Sequence, residues 1–179
     1  MLRRKLLAER ELFAAGPAAA SAQAALARHL RHVVARLEPQ CLGLYWPVRS
    51  EFNAALALLG DPGLSEVEWA LPFSRRTPRE MHYREWDGQP PTLLDECNIP
   101  APAGAEVVPD VVVAPCVGFT ASGYRLGYGG GYFDRWLAAH PGVTVIGVAW
   151  AIAQVDDKVF GVQVHDLPMM AIVTEHGVV

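Results

Sequence analysis

The segment Gly123-Tyr-Arg-Leu-Gly-Tyr-Gly-Gly-Gly-Tyr-Phe-Asp-Arg-Trp-Leu137 constrains this chain more than any other feature. Five glycines fall within nine residues, Gly123 to Gly131, after an apolar, β-branched stretch and before an amphipathic helical pattern from about Tyr132 to Ala139. Glycines let main-chain N–H groups approach a ligand with no Cβ in the way, and the start of the following helix adds partial positive charge. Strand, glycine loop and helix in this order suit an anion, phosphate above all. Arg125 can grip phosphate oxygens in a two-pronged contact, and Asp134, in the first helical turn, can hold a magnesium ion bridging the same phosphates. Tight turns and an acid at a helix start would use the same residues; the coincidence of arginine, acid and context favours the phosphate reading. No Gly-Lys-Ser/Thr follows, so the loop is not a P-loop. Tyr132 stands three residues after Gly129, where the dinucleotide fingerprint needs glycine or alanine.

Around this segment the text alternates. Residues 2–14 and 18–37 read as helices parted by Gly16-Pro17. A short strand is expected within 41–47, a helical stretch over 51–59, and strands over 67–71 and 81–86, the last with an edge or hairpin pattern. Residues 87–109 hold five of the fourteen prolines and read as a long ordered surface loop. Val107-Val108 with Val111 to Val113 and Val117 suit a strand buried on both faces. Strands over 143–150 and 169–173 complete the pattern. The expected fold is α/β: a single three-layer domain over residues 1–179, Rossmann-like, its mainly parallel sheet flanked by helices and its ligands beyond the carboxyl ends of the strands.

Of the 179 residues 51% are hydrophobic and 19% charged, enough to supply a core and unlike a disordered tail. No stretch reaches the ~20 apolar residues of a membrane span, and Glu9, Arg10 and Glu11 interrupt any signal-peptide core, so a cytoplasmic protein is expected. A net charge of -4 leaves no nucleic-acid footprint for the whole chain. The charge is uneven: seven basic residues up to Arg36 oppose only Glu9 and Glu11, so the remainder carries -9. The N-terminal helices therefore either face an anion or present a solvated basic face. Cys41, Cys97 and Cys116, widely spaced and odd in number, suggest reduced, mostly buried thiols. His29 and His32 read as a solvated helix face.

The glycine segment closely resembles the signature of the 5-formyltetrahydrofolate cyclo-ligase family, also called methenyltetrahydrofolate synthetase. Further pieces follow in that family's order: Leu2-Arg3 and Arg10, Tyr45-Trp-Pro and Glu51, Met81-His-Tyr-Arg-Glu-Trp86, Asn98-Ile-Pro, Pro109-Asp110, Pro115, Phe119, His165-Asp166 and Val173-Thr-Glu175. The resemblance implies a NagB/RpiA-like fold and the conversion of 5-formyltetrahydrofolate to 5,10-methenyltetrahydrofolate with ATP and Mg2+, releasing ADP and phosphate through a phosphorylated formyl group. It assigns ATP to Arg3 and to Arg125, Leu126, Gly127, Tyr128, Gly129, Gly130, Gly131, Tyr132 and Phe133. It assigns the reduced folate to Trp46, Glu51 and Tyr128 through Tyr132, catalysis to Arg125 and Tyr132, and magnesium to Asp134 and Asp166. Neither nucleic acid nor membrane is an implied partner, and a monomer or weak homo-oligomer is expected.

The chain departs from the family pattern at Phe133, which stands for a tyrosine, at Ala101, which replaces a polar residue, and at Gly161 and Met170, where many members have proline and aspartate. The family's N-terminal lysine would fall before Met1. Two alternatives stay open: a diverged paralogue acting on another N-formyl or amide substrate, and a nucleotide- or folate-binding protein without turnover.

Overall fold

In the computed structural model, which describes residues 1–161 and 168–179, Gly16-Pro17 separates α1 (Leu2–Ala14) from α2 (Ala19–Leu37), as the sequence predicts. Strand β1 (Cys41–Gly43) follows, then α3 (Ala54–Leu58) and a hairpin of β2 (Glu68–Arg75) and β3 (Glu80–Trp86). The proline-rich stretch over 87–109 is not the uniform loop expected: it contains β4 (Leu93–Leu94), β5 (Pro100–Ala101) and β6 (Glu106–Val107). Val107 thus belongs to a different strand from β7 (Val111–Pro115). After β7 come β8 (Gly118–Phe119), β9 (Arg125–Leu126), α4 (Tyr132–Ala139), β10 (Thr144–Val148), α5 (Asp157–Phe160), β11 (Ala171–Thr174) and β12 (Gly177–Val178).

Eight strands form one sheet in the order β12-β11-β10-β7-β1-β2-β3-β6. The five from β11 to β2 run parallel, and β12, β3 and β6 add antiparallel edges. Alternation along β7 divides the core. Val111 and Val113 pack with α2 and α3 on one face, whereas Val112 packs with Trp136 of α4 on the other. Helix α2 offers Ala22, Leu26, Leu30 and Val34, one per turn and all buried, and each of the larger three contributes on the order of 1.5–3 kcal/mol by leaving water. Asp110 ties the two central strands together at their start, its carboxylate accepting from the N–H groups of Gln40 and Cys41 at 3.2 and 2.6 Å. Gly43 must lack a side chain, since a Cβ there would lie 2.8 Å from the Tyr83 ring.

Chain direction changes at β1 and β7. From β1 the chain moves outward to β2; from β7 it crosses through α4 to β10 on the opposite side. A crevice therefore opens beyond their carboxyl ends, where such sheets bind ligands. Helix α1 closes one side of it: Leu6 and Arg10, one turn apart, are its buried residues, and Phe13 meets Trp150 at 5.3 Å between ring centroids. His29 is not merely solvated, since its Nδ1 lies 2.9 Å from the carbonyl of Thr174. Ala101 is fully buried, so a polar residue there would need a partner. Gly161 closes α5 at φ 70°, a conformation proline cannot adopt. No described helix is long and apolar enough to cross a membrane.

Candidate active site

The crevice is a cleft of about 540 Å³, within the usual size range of small-molecule sites. Its lining includes Arg3, Trp46, Glu51, every residue from Arg125 to Phe133, and Asp134. Residues as far apart in sequence as Arg3 and Asp134 thus share one wall. Asp166 and His165 lie outside the described residues.

The glycine loop is shaped by main-chain geometry and held in place by two arginines. Gly129 and Gly131 adopt φ of 95° and 66°, which glycine takes without strain. Arg3 Nε donates to the Gly127 carbonyl and Arg135 Nη2 to the Gly130 carbonyl, both at 2.8 Å. These bonds satisfy two of the loop's acceptors. Its donors stay free: among the described residues, no acceptor meets the main-chain N–H groups of Gly127, Tyr128, Gly129, Gly130 or Gly131. Helix α4 begins immediately after, and its first N–H groups also lack intrahelical partners. A row of unsatisfied donors beside two arginines fits a polyphosphate.

At the mouth, Arg125 Nη2 meets Asp134 Oδ1 at 2.6 Å, and Arg125 Nη1 donates to the Pro115 carbonyl at 3.3 Å. The Arg125 guanidinium also lies 5.3 Å from the Phe133 ring. Among the described residues no group of three or more His, Cys, Asp or Glu is placed to hold a metal. Magnesium is commonly held by one or two carboxylates with substrate phosphates completing the shell, and the exposed Asp134 suits one such ligand.

The floor is different. Glu51 and Arg10 have side chains only 4% and 3% exposed, 3.8 Å apart. Glu51 Oε2 accepts from the N–H of Val48 at 2.8 Å, so Glu51 lies ahead of α3, not in its first turn. Arg10 Nη2 donates to the Tyr128 hydroxyl at 2.6 Å and Nε to Ser50 Oγ at 3.2 Å. Burial raises the Glu51 carboxyl above the usual range, against the pull of Val48, Tyr128 and Arg10. Burial, with the Glu51 charge adding to it, pushes the Tyr128 phenol up to about 12. Trp46 stands beside this floor, edge-on to the buried Trp86 at 6.3 Å, and presents a flat surface next to a carboxylate.

Two contributors, Asp95 and Cys97, and the burial of a third, Arg10, escape sequence reasoning. Asp95, itself buried, accepts from the N–H groups of Ser74, Cys97 and Ile99 at 3.1, 2.8 and 2.9 Å, folding the turn that carries Cys97 into the cleft. Cys97 Sγ then lies 3.2 Å from the Tyr132 hydroxyl, and that contact raises the Tyr132 phenol above its ordinary value. Cys41 and Cys116 are buried, whereas Cys97 is half-exposed. Arg10 reads as part of a basic helix face; its four-residue spacing from Leu6 is the signal that places it inside. Among the described residues no histidine lines the cleft. Its charged side chains and main-chain donors suit positioning and charge neutralisation, the requirements of phosphoryl transfer.

The chain matches the 5-formyltetrahydrofolate cyclo-ligase family over residues 1–175. Among solved structures it is similar to a 5,10-methenyltetrahydrofolate synthetase from Aquifex aeolicus, at 26% identity and TM-score 0.74, covering 99% of this chain and 89% of that one. It also shares its fold with a 5,10-methenyltetrahydrofolate synthetase from Mycoplasma pneumoniae, at 18% identity and TM-score 0.71, covering 97% and 96%. No curated protein matches the sequence.

Proposed function

This chain belongs to the 5-formyltetrahydrofolate cyclo-ligase family, a family of enzymes, and on that premise we propose that it cyclises 5-formyltetrahydrofolate to 5,10-methenyltetrahydrofolate with ATP and Mg2+, releasing ADP and phosphate. One observation carries the nucleotide half of this reading. The free N–H groups of the glycine loop share a single cleft with Arg3, Arg125 and the Trp46–Glu51 floor. When bound, ATP supplies the phosphoryl group that makes the formyl oxygen a good leaving group, and magnesium neutralises the charge of the phosphates.

The chain's own part is to bind and orient. Gly127 to Gly131, Arg3 and Arg125 hold the phosphates, with Leu126, Tyr132 and Phe133 completing that wall. Trp46 stacks on the pterin face, and the Glu51 carboxylate accepts from its N–H edge. Tyr128 and the glycines beside it lie between the two ligands. Asp134 and Asp166 serve the magnesium ion. Arg125 faces the charge that grows on the transferred group, and the Tyr132 hydroxyl, steadied by Cys97, donates toward the reacting oxygen. Folate bound over these contacts would exclude water from them and strengthen each.

Incubating the protein with 5-formyltetrahydrofolate, ATP and magnesium should produce the absorbance of the methenyl product, with one ATP consumed per ring closed. Removal of either ATP or magnesium should abolish it. Neither product nor folate-dependent ATP hydrolysis at high enzyme concentration would reject the proposal.

A further inference from the structure

Arg10 is an arginine almost wholly withdrawn from water, in a helix whose other basic residues are exposed. Burying a guanidinium is costly unless its charge and its donors are matched. Here three groups from two parts of the chain match it: the adjacent Ser50 and Glu51 ahead of α3, and Tyr128 in the glycine loop. One side chain therefore touches both the carboxylate of the folate floor and the loop of the phosphate wall.

We propose that Arg10 is a positioning residue: its guanidinium pairs with the Glu51 carboxylate and fixes the Tyr128 hydroxyl, so that the folate floor and the glycine loop are set by one buried cation. This rests on Glu51 as the acceptor for the pterin edge. A protonated Glu51 would lose one acceptor and bind the substrate less well. Without Arg10, the buried carboxyl takes up a proton at higher pH. The other titratable groups facing Glu51 are Tyr45 from the segment after β1, Cys116 from the end of β7 and Tyr128 from the loop. All three titrate above the neutral range, Tyr45 and Cys116 further still because they are buried. Glu51 alone then sets the pH response of the floor.

The test compares wild type, Arg10→Met, Arg10→Lys and the double variant Arg10→Met with Glu51→Gln, titrating 5-formyltetrahydrofolate across about pH 5 to 9. In Arg10→Met the midpoint of the affinity profile should move up by about one pH unit or more, equivalent to about tenfold weaker binding below it. Arg10→Lys keeps the cation and should stay near the wild-type midpoint, and the double variant should lose the pH dependence. A general loss of folding would weaken binding equally at every pH. An unmoved midpoint in Arg10→Met, or the same displacement in Arg10→Lys, overturns the proposal.

Melting curves over the same pH range carry the comparison without ligand, so a wild type that binds no folate sinks the functional reading while leaving Arg10 testable. A raised Glu51 contributes stability that is present at low pH and lost as pH rises through its folded value. Arg10→Met should therefore fall further below wild type as pH rises, and Glu51→Gln in that background should restore a wild-type transition. Should Arg10→Met fail to fold, rescue by the double variant supports the pairing, and failure of rescue overturns it.

Discussion

On the floor of the cleft Arg10 and Glu51 both lie out of water, their side chains 3% and 4% exposed, whereas at its mouth an equally covered Arg125 pairs with an Asp134 that is 68% exposed. The floor pair is set by desolvation: neither charge can turn to solvent, so each needs the other. The mouth pair is set by convenience. Water can take over Asp134 at little cost, which under the proposed function would leave Arg125 free for an incoming phosphate and Asp134 for a metal ion. A site that must bind and release a charged co-substrate needs a replaceable partner at its mouth, and a site that must present one fixed acceptor needs a permanent partner beneath it.

The largest expected effect sharpens this contrast directly. In denaturant titrations, Arg10→Met should cost about 3–5 kcal/mol by leaving Glu51 buried and unpaired, while Arg125→Met should cost below about 1 kcal/mol. Equal losses would break the comparison. Turnover should show the reverse emphasis at the mouth. Arg125→Ala should keep a normal fold and lower kcat by roughly 100- to 1000-fold, the usual cost of removing one preorganised donor; wild-type kcat would remove Arg125 from the chemistry.

Between these lies the loop. Gly131 caps α4 at φ 66°, and a Cβ there would lie 2.8 Å from Arg135 Nη1, the side chain that holds the Gly130 carbonyl. Gly131→Ala should cost about 1–2 kcal/mol from the left-handed backbone and weaken nucleotide binding more than folate binding. Equal weakening of both ligands would deny the loop its separate role. The smallest effect on stability belongs to Asp134→Asn, below about 1 kcal/mol, because the lost carboxylate is solvated and the amide Oδ1 still accepts from the covered Arg125. Its activity should nevertheless demand far more magnesium, and an unchanged magnesium titration would remove Asp134 from the metal site.

Much of this was legible before any coordinate. Gly16-Pro17 places the break between α1 and α2 because both residues end or start helices for backbone reasons alone. The amphipathic text after Gly131 predicts α4 over the residues it occupies. Strands β4, β5, β6 and β12 were not legible, since each has two residues and two residues carry no periodicity. The cleft divides in the same manner. The glycine loop, Arg125 and Asp134 are neighbours in sequence, so one motif reveals them together. Arg10, Asp95 and Cys97 join it from 118, 39 and 35 residues away, respectively measured to Tyr128, Asp134 and Tyr132. Their parts depend on which face of α1 is buried and how the turn around Asp95 folds, both decided by tertiary packing.

The measurement closest to the central claim is a crystal structure with a non-hydrolysable ATP analogue, magnesium and 5-formyltetrahydrofolate bound together. The account predicts the phosphates on the main-chain N–H groups of Gly127 to Gly131, Arg125 turned from Asp134 toward them, and the pterin between Trp46 and Glu51 with Arg10 unmoved. Phosphates bound elsewhere, with the Arg125–Asp134 pair intact and the loop N–H groups facing only water, would contradict it.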